Sequence, residues 1–116
     1  MAIVNPTDTV DDVGTRNVVW ADMDNGDTGA PVGVGAFYDA TVQLTGTLST
    51  GGEMTLQGTN EGTVYATLTD LTGVAIVLTA LGLKGVLEEP AQIRPNITNG
   101  DGSTDLTVSM SFKKPV

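Results

Sequence analysis

The sequence of 116 residues contains no cysteine and no histidine, and only 4% of its residues are aromatic. The absence of cysteine excludes disulfide bonds and thiol chemistry, and the absence of histidine excludes imidazole general base catalysis. Together the two absences remove the ligands of the common zinc sites. Positive charge is also scarce, because 5 lysines and arginines stand against 14 aspartates and glutamates and the formal net charge is −9.

This acidic balance limits the partners of the chain. A nucleic-acid-binding protein needs a basic surface that releases counterions from phosphates, so we expect no nucleic-acid partner. An anionic membrane surface repels the chain for the same reason. The longest apolar stretch, Gly73 to Leu83, is shorter than the ~20 residues that span a bilayer, and residues 1–6 show no secretory signal. We therefore expect no membrane partner.

The composition instead favours β-structure, because 15 glycines and 5 prolines accompany many threonines and valines. From Asn17 onward, apolar and polar residues alternate with period two in short stretches, separated by turn sequences about 8–12 residues apart. The pattern predicts an all-β fold, an antiparallel β-sandwich or jelly-roll-like fold of about seven to eight strands. The residues expected to face inward are Val18, Trp20, Val42, Leu44, Leu48, Met54, Leu56, Val64, Ala66, Leu68, Ile93, Pro95, Ile97, Leu106, Val108, Met110 and Phe112.

Residues 1–16 differ from the rest, with Asp8, Asp11 and Asp12 close together and no sustained period. We therefore divide the chain into an extended N-terminal arm, residues 1–16, and a single β-sandwich domain, residues 17–116. The arm is either a frayed terminus or a segment that becomes ordered against a neighbouring subunit.

Two stretches of the domain have special features. Val74 to Leu83 begins as a β-branched strand, and its second half, from Thr79, is compatible with one helical turn. Residues 92–98 alternate as a strand that contains Pro95. Because proline has no N–H for a ladder, this strand is predicted to lie at a sheet edge.

The carboxylates give no catalytic or metal site by their spacing. Residues 22–27 hold four carboxylate or amide side chains, but Gly26 and Asp27 stand in the wrong order for an EF-hand loop. A turn closed by Asx side chains is the simpler interpretation, with an irregular calcium site as its alternative. Glu88-Glu89 and the pair Glu53/Glu61 are the glutamates available for acid–base work, and nothing places them across a cleft. We expect no enzyme activity, no metal, no cofactor and no small-molecule substrate.

The candidate interface residues are uncharged or isolated on the predicted outer faces. The outward threonines, which include Thr41, Thr45, Thr47, Thr67 and Thr69, form either a solvated strand surface or a subunit contact. Tyr65 is either a platform for a sugar ring or a cross-strand or interface contact. Arg94 is a lone cation that pairs either with a nearby surface carboxylate or across a subunit boundary. The predicted interface set is Thr41, Thr45, Thr47, Tyr65, Thr67 and Arg94.

Three stretches, Leu56–Asp70, Ile93–Gly102 and Asp105–Val108, together resemble small β-sandwich structural proteins of tailed bacteriophages, the head decoration or cement class. The resemblance covers about residues 40–112, and the family often has tryptophan where Tyr65 stands. It implies a virion protein on the capsid exterior, made in the host cytoplasm. It also implies that the chain binds the major capsid protein, clamps adjacent capsomers and forms a homotrimer.

The hairpin of residues 58–63 and the strand at Ile93-Arg94-Pro95 are also similar to parts of discoidin-like sugar-binding sandwiches. This resemblance implies the alternative function, a carbohydrate-binding module of a phage fibre or tail protein. The low aromatic content and the lack of a calcium cluster favour the capsid function over this alternative.

Overall fold

The computed structural model describes residues 2–11 and 14–113. Met1, Asp12, Val13 and residues 114–116 of the predicted arm and domain lie outside the described residues. The described chain folds as two packed β-sheets without a helix, which confirms the predicted all-β sandwich. The strands are β1 (Ile3–Val4), β2 (Thr7–Val10), β3 (Thr15–Met23), β4 (Thr28–Gly29), β5 (Val32–Gly33), β6 (Tyr38–Thr47), β7 (Glu53–Thr59), β8 (Ala66–Thr67), β9 (Val77–Leu78), β10 (Gly82–Gly85), β11 (Gln92–Thr98) and β12 (Asp105–Lys113).

One sheet has five strands in the order β10-β6-β12-β3-β2, and every neighbouring pair in it is antiparallel. The other sheet has seven strands and follows the path β1-β4-β11-β7-β8, with β5 paired to β11 and β9 paired to β7. In this second sheet the short pair β1–β4 is parallel. No helix long and apolar enough to cross a membrane occurs in residues 2–11 and 14–113.

The core lies between the sheets because each long strand turns every second side chain inward. Trp20 and Phe112 are the largest fully buried side chains, and the indole Nε1 of Trp20 donates to the carbonyl of Ala30 at 3.0 Å. On β11 and β12 burial alternates at every residue, as the period-two pattern predicts. The buried apolar side chains are Val18, Trp20, Met23, Val32, Val34, Val42, Leu44, Met54, Leu56, Leu68, Ile76, Leu78, Val86, Ile93, Ile97, Leu106, Val108, Met110 and Phe112.

The predicted inward positions of Val64 and Ala66 are wrong. Val64 is 75% exposed and Ala66 is also exposed, whereas Leu68 is buried as expected. The reason is local: Glu61 accepts hydrogen bonds from the backbone N–H groups of Thr63 and Val64 and so holds this segment as a loop. Strand pairing therefore begins only at Ala66, and β8 has two residues.

The predicted edge position of the Pro95 strand is also wrong, because β11 lies inside its sheet. Strand β7 pairs with one side of β11, and β4 and β5 pair with the other. Proline is tolerated here because β4 pairs with β11 at Asn96 and β5 pairs with it at Gln92 and Ile93. Neither strand pairs with β11 at Pro95, so on that side no partner requires the N–H that proline lacks.

The helical turn considered after Thr79 does not form. Residues 79–81 make a bend, and the strand β10 follows directly from Gly82. The structure also has twelve strand segments rather than seven or eight, because five of them are two-residue segments that short-range alternation does not indicate.

The N-terminal residues pair with both sheets. Strand β1 runs beside β4, and β2 is antiparallel to β3 with Thr7 opposite Val19. The backbone N–H of Ala2 donates to Oδ1 of Asp27 at 2.9 Å. The described part of residues 1–16 thus lies against its own domain.

The close contact of Gly29 with Pro95 and Trp20 gives a stability test of this packing. A Cβ atom at position 29 would lie 2.5 Å from Cδ of Pro95 and 2.7 Å from Cδ1 of Trp20. Because the core cannot absorb that methyl group without shifting, we expect Gly29→Ala to lower the free energy of unfolding by about 1–3 kcal/mol. Urea unfolding followed by the fluorescence of Trp20 measures the change.

Gly33→Ala is the matched control, because a Cβ atom at position 33 has no neighbour within 4 Å. We expect this variant to unfold within about 1 kcal/mol of the wild type. Equal stability of the Gly29 and Gly33 variants would contradict the packing described at Gly29.

Candidate interaction surfaces

The outer face of the five-stranded sheet carries two rows of side chains without a charged residue. One row crosses all five strands through Leu83, Gln43, Ser109, Val19 and Thr7. The next row contains Thr41, Ser111, Asn17 and Thr9. In a chain with 14 acidic residues, such a surface meets the low-charge requirement of an interface core.

The predicted threonine set does not form one face. Thr41, Thr45 and Thr47 lie on the outer face of β6 in the five-stranded sheet, where Thr41 belongs to a neutral row and Thr47 stands opposite Asp105. Thr67 belongs to β8 in the other sheet, and Thr69 forms a single bridge with Ala75. Period-two alternation indicates which residues point outward but not which sheet a strand joins, so the sequence could not separate these two groups of threonines.

The outer face of the seven-stranded sheet brings Tyr65, Thr67 and Arg94 together. Arg94 and Thr67 both pair in register with Gln57, from opposite sides of β7. Nε of Arg94 donates to Oε1 of Gln57 at 2.9 Å, and its guanidinium lies 3.6 Å from the centroid of the Tyr65 ring. Gln57 was missed by sequence reasoning, although its outward position between Leu56 and Gly58 was a usable signal.

Arg94 is held in place without a carboxylate. In residues 2–11 and 14–113 the one ion pair joins Arg16 to Asp8, so Arg94 has no ionic partner in the described structure. The contact with Tyr65 also covers one side of the aromatic ring, which reduces the area that a sugar ring could stack on. Arg94 is therefore an oriented cation on the surface of an acidic protein, and its guanidinium has further N–H donors besides Nε.

The exposed carboxylates of the loops serve as hydrogen-bond acceptors for their own backbone. The hydroxyl of Thr63 and the N–H groups of Val64 and Thr63 bond to Glu61 and hold the pKa of that carboxyl below its ordinary value. The hydroxyl of Thr69 at 2.6 Å and its N–H at 2.8 Å likewise lower the pKa of Glu88. A lowered pKa keeps these carboxyl groups ionised at neutral pH, whereas a general acid has to be protonated there.

The glutamates considered as an acid–base pair are also far apart. Glu53 begins β7, whereas Glu61 follows the far end of the same strand. The two ends of β7 are six residue steps apart, which is about 20 Å and more than the roughly 5–9.5 Å between paired glycosidase carboxylates.

The acidic stretch at residues 22–27 shapes the backbone. Asp27 is buried, and its carboxylate accepts from the N–H groups of Ala2 and Asp24, both at 2.9 Å. Asp22 has a positive φ of 56° and lies where two residues of β3 oppose one of β12. The turn interpretation of this stretch is confirmed. Within the described ranges, no group of three or more acidic side chains is placed to hold a metal ion.

This chain is similar to known proteins in structure rather than in sequence. No protein-family model matches the chain, and no curated protein matches its sequence. The structure is similar to that of the SPBc2 prophage-derived protein YomS, with a TM-score of 0.63 and 16% sequence identity. The alignment covers 90% of this chain and 98% of YomS, so the two share a fold over nearly their whole lengths.

A second solved structure, the capsular polysaccharide assembling protein CapF from Staphylococcus aureus, aligns with 95% of this chain but 31% of its own. Its TM-score of 0.28, at 14% identity, is too low to indicate a common fold, and it lends no support to the carbohydrate-binding alternative.

The N-terminal strand β2 is fastened by the ion pair between Asp8 and Arg16. Two hydrogen bonds join them, Nε to Oδ1 at 2.9 Å and Nη2 to Oδ2 at 2.7 Å. Arg16 is buried, its Nη1 donates to the carbonyl of Gly33 at 2.7 Å, and its guanidinium lies 5.3 Å and 5.5 Å from the ring centroids of Phe37 and Phe112. The hydrogen bond from Arg16, with its charge, lowers the pKa of Asp8 although partial burial opposes the shift.

This pair predicts a pH-dependent contribution to stability. Because the folded pKa of Asp8 is depressed, its contribution is full above the ordinary value of 3.8 and is lost as the pH falls through the folded value. We expect Asp8→Asn to lower the free energy of unfolding at pH 7 by about 1 kcal/mol, discounted because Asp8 is partly exposed. Urea unfolding of both proteins from pH 7 downward measures the difference.

Asp105→Asn is the control, because this substitution removes the same charge from an exposed residue at the start of β12. A difference between wild type and Asp8→Asn that persists unchanged under strongly acidic conditions would contradict the assigned role of this ion pair.

Proposed function

We propose that this chain is a structural protein of a bacteriophage particle that binds the outer surface of the capsid and stabilises it by clamping adjacent capsomers. The observation that carries the proposal is the fold, which is similar to that of a prophage-derived protein over 90% of this chain and 98% of the other. Its partner is the major capsid protein, and its place is the capsid exterior.

The contact with the shell is assigned to the outer face of the seven-stranded sheet. Tyrosine and arginine are the residue types most often found at the energetic centres of interfaces. Arg94 is already oriented by Tyr65 and Gln57, so little side-chain entropy is lost when it meets an acceptor. A carboxylate or carbonyl on the capsid protein is the acceptor expected for its remaining N–H groups.

The neutral face of the five-stranded sheet suits contacts between neighbouring copies. Thr41 lies in one of its two neutral rows, which hold no charge that must be desolvated, and Thr45 and Thr47 continue the outer face along β6 toward Asp105. We propose a homotrimer, since a symmetric assembly repeats each weak contact with the shell and gains avidity.

The proposed function requires adhesion and no chemical step. The sandwich supplies a stiff body in which no described buried side-chain nitrogen or oxygen lacks a hydrogen-bond partner. The loop carboxylates Glu61 and Glu88 are engaged in local hydrogen bonds that favour their ionised forms. We accordingly propose that the chain is not an enzyme and uses no cofactor.

Sedimentation with assembled particles of the virus that encodes the chain tests the proposal. We expect the purified protein to pellet with particles, and Arg94→Gln to weaken that binding by about tenfold or more, because a central arginine contributes about 2 kcal/mol or more. Lys113→Gln is the matched control, because it removes one positive charge at an exposed residue of the other sheet. It should bind as the wild type does.

A wild-type protein that stays in the supernatant would contradict capsid binding. Equal loss of binding in the Arg94 and Lys113 variants would contradict the assigned face and indicate a general charge effect. Binding to a glycan array without binding to particles would support the carbohydrate-binding alternative instead.

A further inference from the structure

Exposed apolar side chains concentrate in one segment, residues 71–87. Of the nine large hydrophobic side chains exposed in the described structure, six lie in this segment of seventeen residues. Exposed apolar surfaces of this kind are typical of protein–protein contacts and of other binding surfaces. The six side chains are Leu71, Val74, Val77, Leu81, Leu83 and Leu87.

This apolar surface borders an open strand edge. Strand β10 (Gly82–Gly85) pairs with β6 on one side and with no described strand on the other, and just beyond its end Val86 bridges Asp70 and the N–H of Leu87 donates to the carbonyl of Thr69. Leu83 is 61% exposed beside this edge, and Leu71 lies over Gly85, where a Cβ atom would come within 2.8 Å of its Cδ1. A cleft of about 450 Å³, lined by Asp70 and residues 74–84, lies alongside.

An open edge flanked by apolar side chains is suited to β-strand addition. The unpaired N–H and C=O groups of β10 can extend the sheet, while the neighbouring leucines bury apolar area on the added strand. The surface is also continuous with the neutral face, because Leu83 stands directly opposite Gln43 in the row that crosses all five strands.

Charge identifies the occupant. Residues 71–87 contain no acidic residue and one basic residue, Lys84, whereas all 14 acidic residues lie elsewhere in a chain of net charge −9. Two copies therefore repel each other over most of their surfaces. Contact through residues 71–87 brings few negative charges together, because the acids that flank the segment are Asp70 and Glu88 and the positive charge of Lys84 acts on Asp70.

We propose that the β10 edge and the apolar side chains of residues 71–87 form the surface through which copies of this chain associate. The inference rests on the homotrimer of the proposed function and extends its contact surface from the neutral face to the adjoining β10 edge and the apolar side chains beside it. It does not depend on capsid binding, because it concerns the isolated protein.

Sedimentation equilibrium of the purified full chain tests the proposal. We expect the wild type to self-associate in the micromolar range and Leu83→Asp to raise the dissociation constant by about tenfold or more, since a leucine that the proposed contact covers is replaced by a charge. Val64→Asp is the matched control, because Val64 is 75% exposed, lies outside the segment and receives the same charge. It should associate as the wild type does.

The fluorescence of Trp20, which is fully buried, reports whether each variant is folded. Leu81→Asp provides a second position on the same surface, because Leu81 is 50% exposed. A wild type that remains monomeric throughout the micromolar range, or folded Leu81 and Leu83 variants that associate as tightly as it does, would overturn the proposal. A chain that self-associates but fails to bind particles would contradict the capsid function alone.

Discussion

The structure depends on burying alternate apolar side chains from two facing sheets in one core. Trp20 on β3 and Phe112 on β12 are fully buried within the five-stranded sheet's inner face, and Leu56 on β7 is fully buried from the other sheet. Because the side-chain period of a strand is two, a shift of one residue in any long strand would expose its entire apolar set. This constraint fixes the register of the strands, and the register in turn decides which polar residues share each outer face.

The distribution of charge follows from the same constraint. The buried positions of β3, β6, β7, β11 and β12 hold no carboxylate, and several acidic residues instead lie in loops and bulges, where they accept hydrogen bonds from backbone N–H groups, as Asp27 and Glu61 do. The central rows of the five-stranded face are left neutral, and Arg94 is left as a cation without an ionic partner among the described residues. Under the proposed function these two outer faces, rather than a catalytic cleft, are the binding surfaces of the molecule.

The sequence predicts the long strands well, because local alternation and turn residues define them. Residues 92–98 were predicted as a strand, and β11 has those bounds. Alternation does not indicate the partner of each strand. The interior position of Pro95 depends on the gap between β4 and β5, which are distant from it in sequence.

The alternation does not indicate the bulges either, because the positive φ values of Asp22 and Asp39 arise where one strand has an extra residue relative to its neighbour. Among the candidate interface residues, Arg94 and Thr67 come together because β11 and β8 pair with opposite sides of β7, and Tyr65 directly precedes β8; no spacing in the sequence contains that information.

The central claim is that this protein acts as a rigid body that adheres through its outer surfaces. Amide hydrogen exchange, compared between the free protein and the protein bound to capsids, tests this claim most directly. The account predicts slower exchange in the bound state at the surface segments around Tyr65, with an unchanged pattern in the core strands β3 and β12. Exchange that is identical in both states, or that changes mainly in the core strands, would contradict it.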